Sequence, residues 1–439
     1  MPSPQQNVTH QQGLFSTNKF RDTWDLLGKY SPLLIKFGVI FYIFLGALGH
    51  APREIGSITA IFGTLLYYTH FLKDSNLYRL PFKYTGGLFF LFLLFKVFHS
   101  VDFFRSWEVF YGGMYKGLFL FFPALEFVRT SKDIKWLVIA FASMGFYEGL
   151  DGVWQFFTGY DFIRGTEIWG DRLTGSMKTP RVGNLTSLAL PIGCGLFFLL
   201  RSKISKSKSF AITIFTLTPL VFLFVGSQTR SAYVGIFLAI LGTYFLLRRF
   251  SWKILLASLC FVTLVGAFGP HRVSFDKIME GQRFEMVWPL AWQAFLKNPI
   301  LGGGIHSYKP VAQTTDLGIR LEKQGEYIHP HPHNIYLQFA AETGIIGLSL
   351  ALIFFGTYLF WSAKRIRIGL KSPHSREHFL LATCFWASYL GYLGTAISAH
   401  NFFRAWWLGT AMLILGALIG ACLIEQEDKS SNTTSNSCI

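Results

Sequence analysis

The chain alternates between long apolar runs and short polar, mostly basic connections. Runs of about 18 or more apolar residues are each long enough, as helices, to cross ~30 Å of hydrocarbon. The pattern predicts spans near 32–50, 54–72, 84–99, 106–127, 134–158, 184–200, 209–226, 231–248, 252–268, 335–361, 378–397 and 405–424. The expected architecture is therefore an all-α polytopic membrane protein of about twelve transmembrane helices. A closed β-barrel would need strict alternation of polar and apolar residues, which is absent. Residues 1–30 read as a polar tail, 31–268 as the first nine spans, 269–334 as a long polar loop with helices, 335–424 as the last three spans, and 425–439 as a low-complexity tail expected to be disordered.

Charge adds orientation. The segments that would face one side hold clusters such as Arg129, Lys132 and Lys135, or Arg201, Lys203, Lys206 and Lys208, whereas the short turns on the other side hold one arginine each, Arg53, Arg105, Arg230 and Arg404. Basic loops stay inside, so both ends are expected in the cytoplasm, with 159–183 and 269–334 on the far side. The net charge of +16 is spread over these loops and gathers on no single face, which argues against nucleic acid as a partner. The first 30 residues are polar and the first apolar run leads into a full bundle, so no cleavable signal peptide is expected. The composition, 51% hydrophobic and 18% aromatic with a mean hydropathy of +0.38, fits membrane lipids as the surroundings. Five cysteines (Cys194, Cys260, Cys384, Cys422, Cys438) mostly sit in apolar runs without CxxC spacing, against a disulfide framework or zinc site.

Two outer segments are long. The second carries Phe284, Trp288, Trp292 and Phe295 at helical spacing, one apolar stripe. Pro289 would kink that helix or mark its start. The stripe suits either a helix lying on the membrane surface or one packed on the bundle. Gly302-Gly303-Gly304 reads as a flexible turn; no preceding strand and no following GK[ST] supports a phosphate loop.

Candidate chemistry concentrates at His329–Gly347, HPHPHNIYLQFAAETGIIG, where the long polar loop runs into an apolar helix. Polar groups at such a depth are costly and read as functional. An imidazole with a pKa of about 6.5 can accept a proton at working pH, and a placed base contributes about 10²–10⁴ in rate. His333 is the candidate base, with Asn334, Tyr336, Gln338 and Glu342 crowding the same helix start; the alternative is a histidine that merely caps the helix. The prolines between His329, His331 and His333 should disperse the imidazoles along an extended segment, which argues against a metal site. Arg230, in the turn VGSQTRSAY, is either an interface anchor or an anion clamp, and Arg283, after Gln282, is either a solvated charge or a second clamp. Glu148 and Asp151 could pair with Arg172, Lys178 or Arg181, or hold a sugar.

His333-Asn334, nine residues, Gly344, two residues and Gly347 resembles the signature of O-antigen ligases, His-[Asn/Ser/Gln]-x9-Gly-x-x-[Gly/Thr/Tyr]. The resemblance covers most of the chain and extends to the superfamily that also holds O-antigen polymerases and O-oligosaccharyltransferases. It implies a membrane glycosyltransferase fold of the GT-C-like kind, using no cofactor or metal, in the bacterial inner membrane with its site facing the periplasm. The implied donor is a glycan on undecaprenyl diphosphate and the acceptor lipid A-core. By motif position His333 matches the family's base, while Arg230 and Arg283 match the arginines that hold the diphosphate. The motif serves polymerases too, so extension of the lipid-linked glycan is the alternative. A transporter is a third reading, but the halves show no matching Gly/Pro-broken spans.

Overall fold

The computed structural model describes residues 17–247, 283–398 and 402–424, with single positions between 248 and 282. Among the described residues the chain is all-helical, with no strand and two isolated bridges, Tyr160 with Glu167 and Trp169 with Arg172. Among the described residues six helices are long and apolar enough to cross a membrane: Asp22–Leu48, His50–Asp74, Val182–Leu200, Lys206–Gly226, Ile335–Gly369 and Ala405–Leu423. The expected count of twelve goes beyond these six. Asp133–Thr158 and Arg376–Thr395 are helices of 26 and 20 residues, while Lys83–Phe98 and Arg230–Leu246 have 16 and 17. The expected continuous run at 106–127 is broken into Phe103–Val109, a π turn at Phe110–Met114, Tyr115–Phe119 and Phe121–Phe127. Gly113, at φ 152°, takes a non-helical conformation that interrupts the ladder there. The expected span 252–268, Gln282 and the outermost residues 1–16 and 425–439 lie outside the described residues.

Packing follows from small residues and apolar faces. Asp133–Thr158 lies against Lys206–Gly226 so closely that a Cβ on Gly149 would sit 2.3 Å from the Pro219 carbonyl carbon. Close approach through small residues drives helix association in lipid, where hydrophobicity alone does not. Ala405–Leu423 packs on Phe121–Phe127 and is apolar on every side; 94% of its span is buried, so it is the bundle's centre and not a lipid-facing helix.

One break sets up everything at the functional end. Within Ile335–Gly369, Gly344 stands at φ 65° and ψ −169° and interrupts the ladder. The carbonyls of Ala341 and Glu342 accept the amides of Gly303 at 3.0 Å and Gly304 at 2.8 Å, while the Ile345 amide donates to the Pro299 carbonyl at 2.8 Å. A Cβ on Gly344 would lie 2.2 Å from the Ile300 oxygen, and one on Gly302 would lie 2.4 Å from the Glu342 carbonyl carbon. The Gly302–Gly304 stretch is therefore no flexible turn but a strap docked into a helix break, because groups freed by the break need partners.

Candidate functional site

The site begins at a helix start. Asn334 is extended, at φ −144° and ψ 115°, and its side-chain oxygen accepts the Leu337 amide at 3.1 Å, which makes it the N-cap of Ile335–Gly369. His333 therefore does not cap the helix. It stands one residue earlier at φ 54°, a left-handed conformation uncommon for a residue with a Cβ.

That backbone turn folds the preceding segment back on itself. The His331 and His333 rings meet at 4.3 Å and 86°, and those of His329 and His333 at 5.2 Å and 78°. The expectation that the prolines disperse the imidazoles fails here: one left-handed residue overrides the extended twist. His331 is 7% exposed, and burial, reinforced by Arg181, His306 and His329, pushes its imidazole down to about 4. Burial and then Arg283 push His329 down as well. At neutral pH His331 is therefore uncharged. Among the described residues no group of three His, Cys, Asp or Glu is arranged to hold a metal.

Arg283 reaches this cluster from a helix of the long loop. It opens a π turn at Arg283–Val287 that runs into Trp288–Lys297, whose second residue is Pro289. Proline thus marks the start of the regular helix, where its missing N–H costs nothing. The helix packs through Val287, Leu290, Ala291 and Ala294, while Phe284 and Trp292 of the aromatic stripe are 46% and 52% exposed. The Arg283 guanidinium donates to the Ser398 hydroxyl and lies close enough to His329 to act on its charge state.

Three of the polar residues at the helix start act as internal ties. The fully buried Glu342 carboxylate accepts the His306 amide at 2.8 Å, the Tyr308 amide at 3.4 Å and the Gln338 amide nitrogen at 3.3 Å. The Gln338 carbonyl accepts the Phe402 amide at 2.9 Å, and the Tyr336 hydroxyl donates to the Leu393 carbonyl at 2.8 Å. They clamp the 302–308 strap, Leu393 and Phe402 onto the helix that begins just after His333. His306, at φ 59°, is brought beside His331 by this clamp. Sequence reasoning passed it over; its one signal was a histidine two residues after a glycine run.

Arg230 opens the helix Arg230–Leu246, directly after a strained turn in which Gln228 stands at φ 49°. Arg172 staples that turn, donating to the Ser227 carbonyl at 2.9 Å and the Thr229 hydroxyl at 3.2 Å. Gln228 donates to the Asp171 carboxylate at 3.0 Å, and Ser231 to the Asn184 side-chain oxygen at 2.8 Å. The same 171–184 stretch carries Arg181, whose charge reaches His331. Glu148 and Asp151 do not pair with its basic residues: Glu148 accepts from Ser176, and Asp151 accepts the Phe162 amide at 2.6 Å. Both carboxylates anchor the 160–177 loop. Of the five non-glycine residues with left-handed φ among the described residues, Lys178, Gln228, His306 and His333 all lie in these segments. Strain held in this way clusters at functional sites.

Residues 212–352, which include Arg230, Arg283, His333 and Gly344, match the family model described as O-antigen ligase. The chain is 28% identical over 205 residues to a protein of Rickettsia typhi named "putative polysaccharide ligase", covering 43% of this chain and 47% of that protein. A like-named protein of Rickettsia conorii is 25% identical over 206 residues, 43% and 46% of the two chains, and one of Rickettsia felis is 30% identical over 132 residues, 29% of each. The chain spans less than half the length of these relatives.

Proposed function

We propose, from the match of residues 212–352 to the O-antigen ligase family model and the likeness to polysaccharide ligases, that this helical membrane protein is an inverting, metal-independent glycosyltransferase. It moves a glycan from undecaprenyl diphosphate onto lipid A-core at the periplasmic face of the inner membrane. The observation that carries the reading is the placing of His333, held in a left-handed turn directly before the cap residue and ringed by a neutral histidine and an arginine-flanked one.

In this reading the His333 imidazole takes the proton of an acceptor hydroxyl as its oxygen attacks the anomeric carbon. The carbon–oxygen bond to the diphosphate breaks on the opposite face, and the leaving group departs with the electron pair, so configuration inverts. Arg230 and Arg283 receive the diphosphate charge; guanidinium suits this because it binds phosphate bidentately and stays charged when partly buried. Preorganised donors aimed at developing charge are the largest single source of catalysis in many enzymes. Asn334, Tyr336, Gln338, Glu342 and Arg172 act by holding the base and the Arg230 turn in place, and Asp151 by holding the loop above them.

The test uses purified protein, a defined undecaprenyl-diphosphate glycan and two acceptors, lipid A-core and a second lipid-linked glycan. Product on lipid A-core supports the ligase reading. Product confined to the lipid-linked acceptor makes the protein a polymerase with the same base, and no product with either sinks the proposal.

A further inference from the structure

A cavity of about 390 Å³ has Arg181, whose charge reaches His331, in its wall, and neither Arg230 nor Arg283 lines it. Arg53, Lys116, Arg181 and Arg404 line it, with Glu54 as the one carboxylate in its wall. Lys116 is paired with that carboxylate, and Arg53 donates to the Gly46 carbonyl at 3.2 Å. Arg164 packs over Gly49 and adds its charge to that of Arg53 at the rim. Four cationic side chains against one carboxylate give the cavity wall an excess of positive charge.

Helix dipoles add to this field. The helices His50–Phe71, Val182–Gly193 and Ala405–Leu423 all begin at the cavity wall, at His50, just after Arg181 and at Ala405. The macrodipole of each places partial positive charge, about half a unit, at that end. Arg181 is shared: it lines the cavity and its charge reaches His331. The volume falls in the range of small-ligand sites, ~300–1,000 Å³, enough for a phosphate with part of the molecule that carries it.

We infer that this cavity, walled by Arg53, Lys116, Arg181 and Arg404, is a second anion site that holds a phosphate group of one of the reacting lipids next to the histidine cluster. That the phosphate belongs to a transfer substrate rests on the glycosyl-transfer reading; the anion site itself does not. Two sources carry this chemistry, the diphosphate of a polyprenyl donor and the phosphates of a lipid A-type acceptor.

The experiment measures binding by thermophoresis of the purified full-length protein in detergent. The probes are undecaprenyl diphosphate, bis-phosphorylated lipid A, and their dephosphorylated counterparts. Arg53→Gln, Lys116→Gln and Arg404→Gln are each expected to weaken a phosphorylated probe by about tenfold or more, about 1.4 kcal/mol, and to leave the dephosphorylated probes unchanged. Loss confined to undecaprenyl diphosphate assigns the cavity to the donor, and loss confined to lipid A assigns it to the acceptor. Arg53→Lys and Arg404→Lys, which keep the charge, should recover most of the binding, separating a charge effect from a folding defect. Wild-type affinity for both phosphorylated probes in all three Gln variants, or equal loss of the dephosphorylated ones, overturns the inference. Because the readout is binding, the cavity could pass this test while the transfer assay fails, or the reverse.

Discussion

His333 and Asn334 divide one helix start between them. Asn334 caps the helix through the Leu337 amide at 3.1 Å, which leaves His333 at φ 54° with its ring against that of His331, 4.3 Å away. Here a neighbour does the capping, and the histidine is left in a strained conformation that glycine would adopt more readily.

This separates function from stability at one position. His333→Gly should leave the melting temperature in detergent unchanged or raise it, since glycine relieves a left-handed strain of about 1 kcal/mol. Transfer should nevertheless fall by about 10²-fold or more, the range for loss of a general base. Retained transfer in a well-folded His333→Gly protein would remove His333 from the mechanism.

Gly344→Ala should fail for the opposite reason. Its Cβ would lie 2.2 Å from the Ile300 oxygen at a φ of 65°, so the docked strap must be expelled. A loss of at least about 2 kcal/mol is expected from strain plus overpacking, seen as a lowered melting temperature and as faster protease cleavage within 299–308. An alanine variant as stable and as resistant as wild type would refute the docking.

Arg172 should matter through Arg230. Arg172→Gln removes the donors to Ser227 and Thr229 at 2.9 and 3.2 Å and frees the turn that aims Arg230. KM for the lipid-linked donor should rise, by about tenfold, while Arg230→Lys, which loses the bidentate fork, should lower kcat/KM further. If Arg172→Gln changed neither constant, the turn would be held by its other contacts.

Acid should destabilise the protein through His331. Its folded value of about 4 lies below the ordinary 6.5, so between these values the unfolded chain binds a proton that the folded one refuses. The contribution is complete above about 6.5 and is lost as pH falls toward 4, with a slope of at most about 1.4 kcal/mol per pH unit. Melting temperatures recorded from pH 7.5 to 4.5 should fall, and His331→Asn should flatten the curve. An unchanged slope in that variant would place the acid sensitivity elsewhere.

Orientation is tested at exposed positions. Cysteines replacing Glu167 and Lys323 are expected to react with an impermeant thiol reagent added from the periplasmic side, and one replacing Lys206 to be protected. Cys194 and Cys260, both exposed, are replaced first. The reverse labelling would turn the proposed site toward the cytoplasm.

The sequence by itself determined the helical class, because spans of apolar residues leave lipid no other way to satisfy the backbone. It also determined where to look: His333-Asn334 and Gly344, Gly347 are local signals, set by a cap and a break that neighbouring residues dictate. What it could not determine lies between residues far apart in the chain. The prolines around His329 and His331 predicted dispersed rings, yet the rings meet where His333 takes a left-handed φ, just before a helix start tied to distant residues through Glu342 and Gln338. Gly302–Gly304 looked flexible because its partners are carbonyls 38 residues on, exposed only by the Gly344 break. The basic cavity was invisible for the same reason: Arg53 and Arg404 are single arginines of short turns, Lys116 lies within an apolar run, Arg181 is one of several basic residues in 159–183, and only helix packing gathers them around one volume.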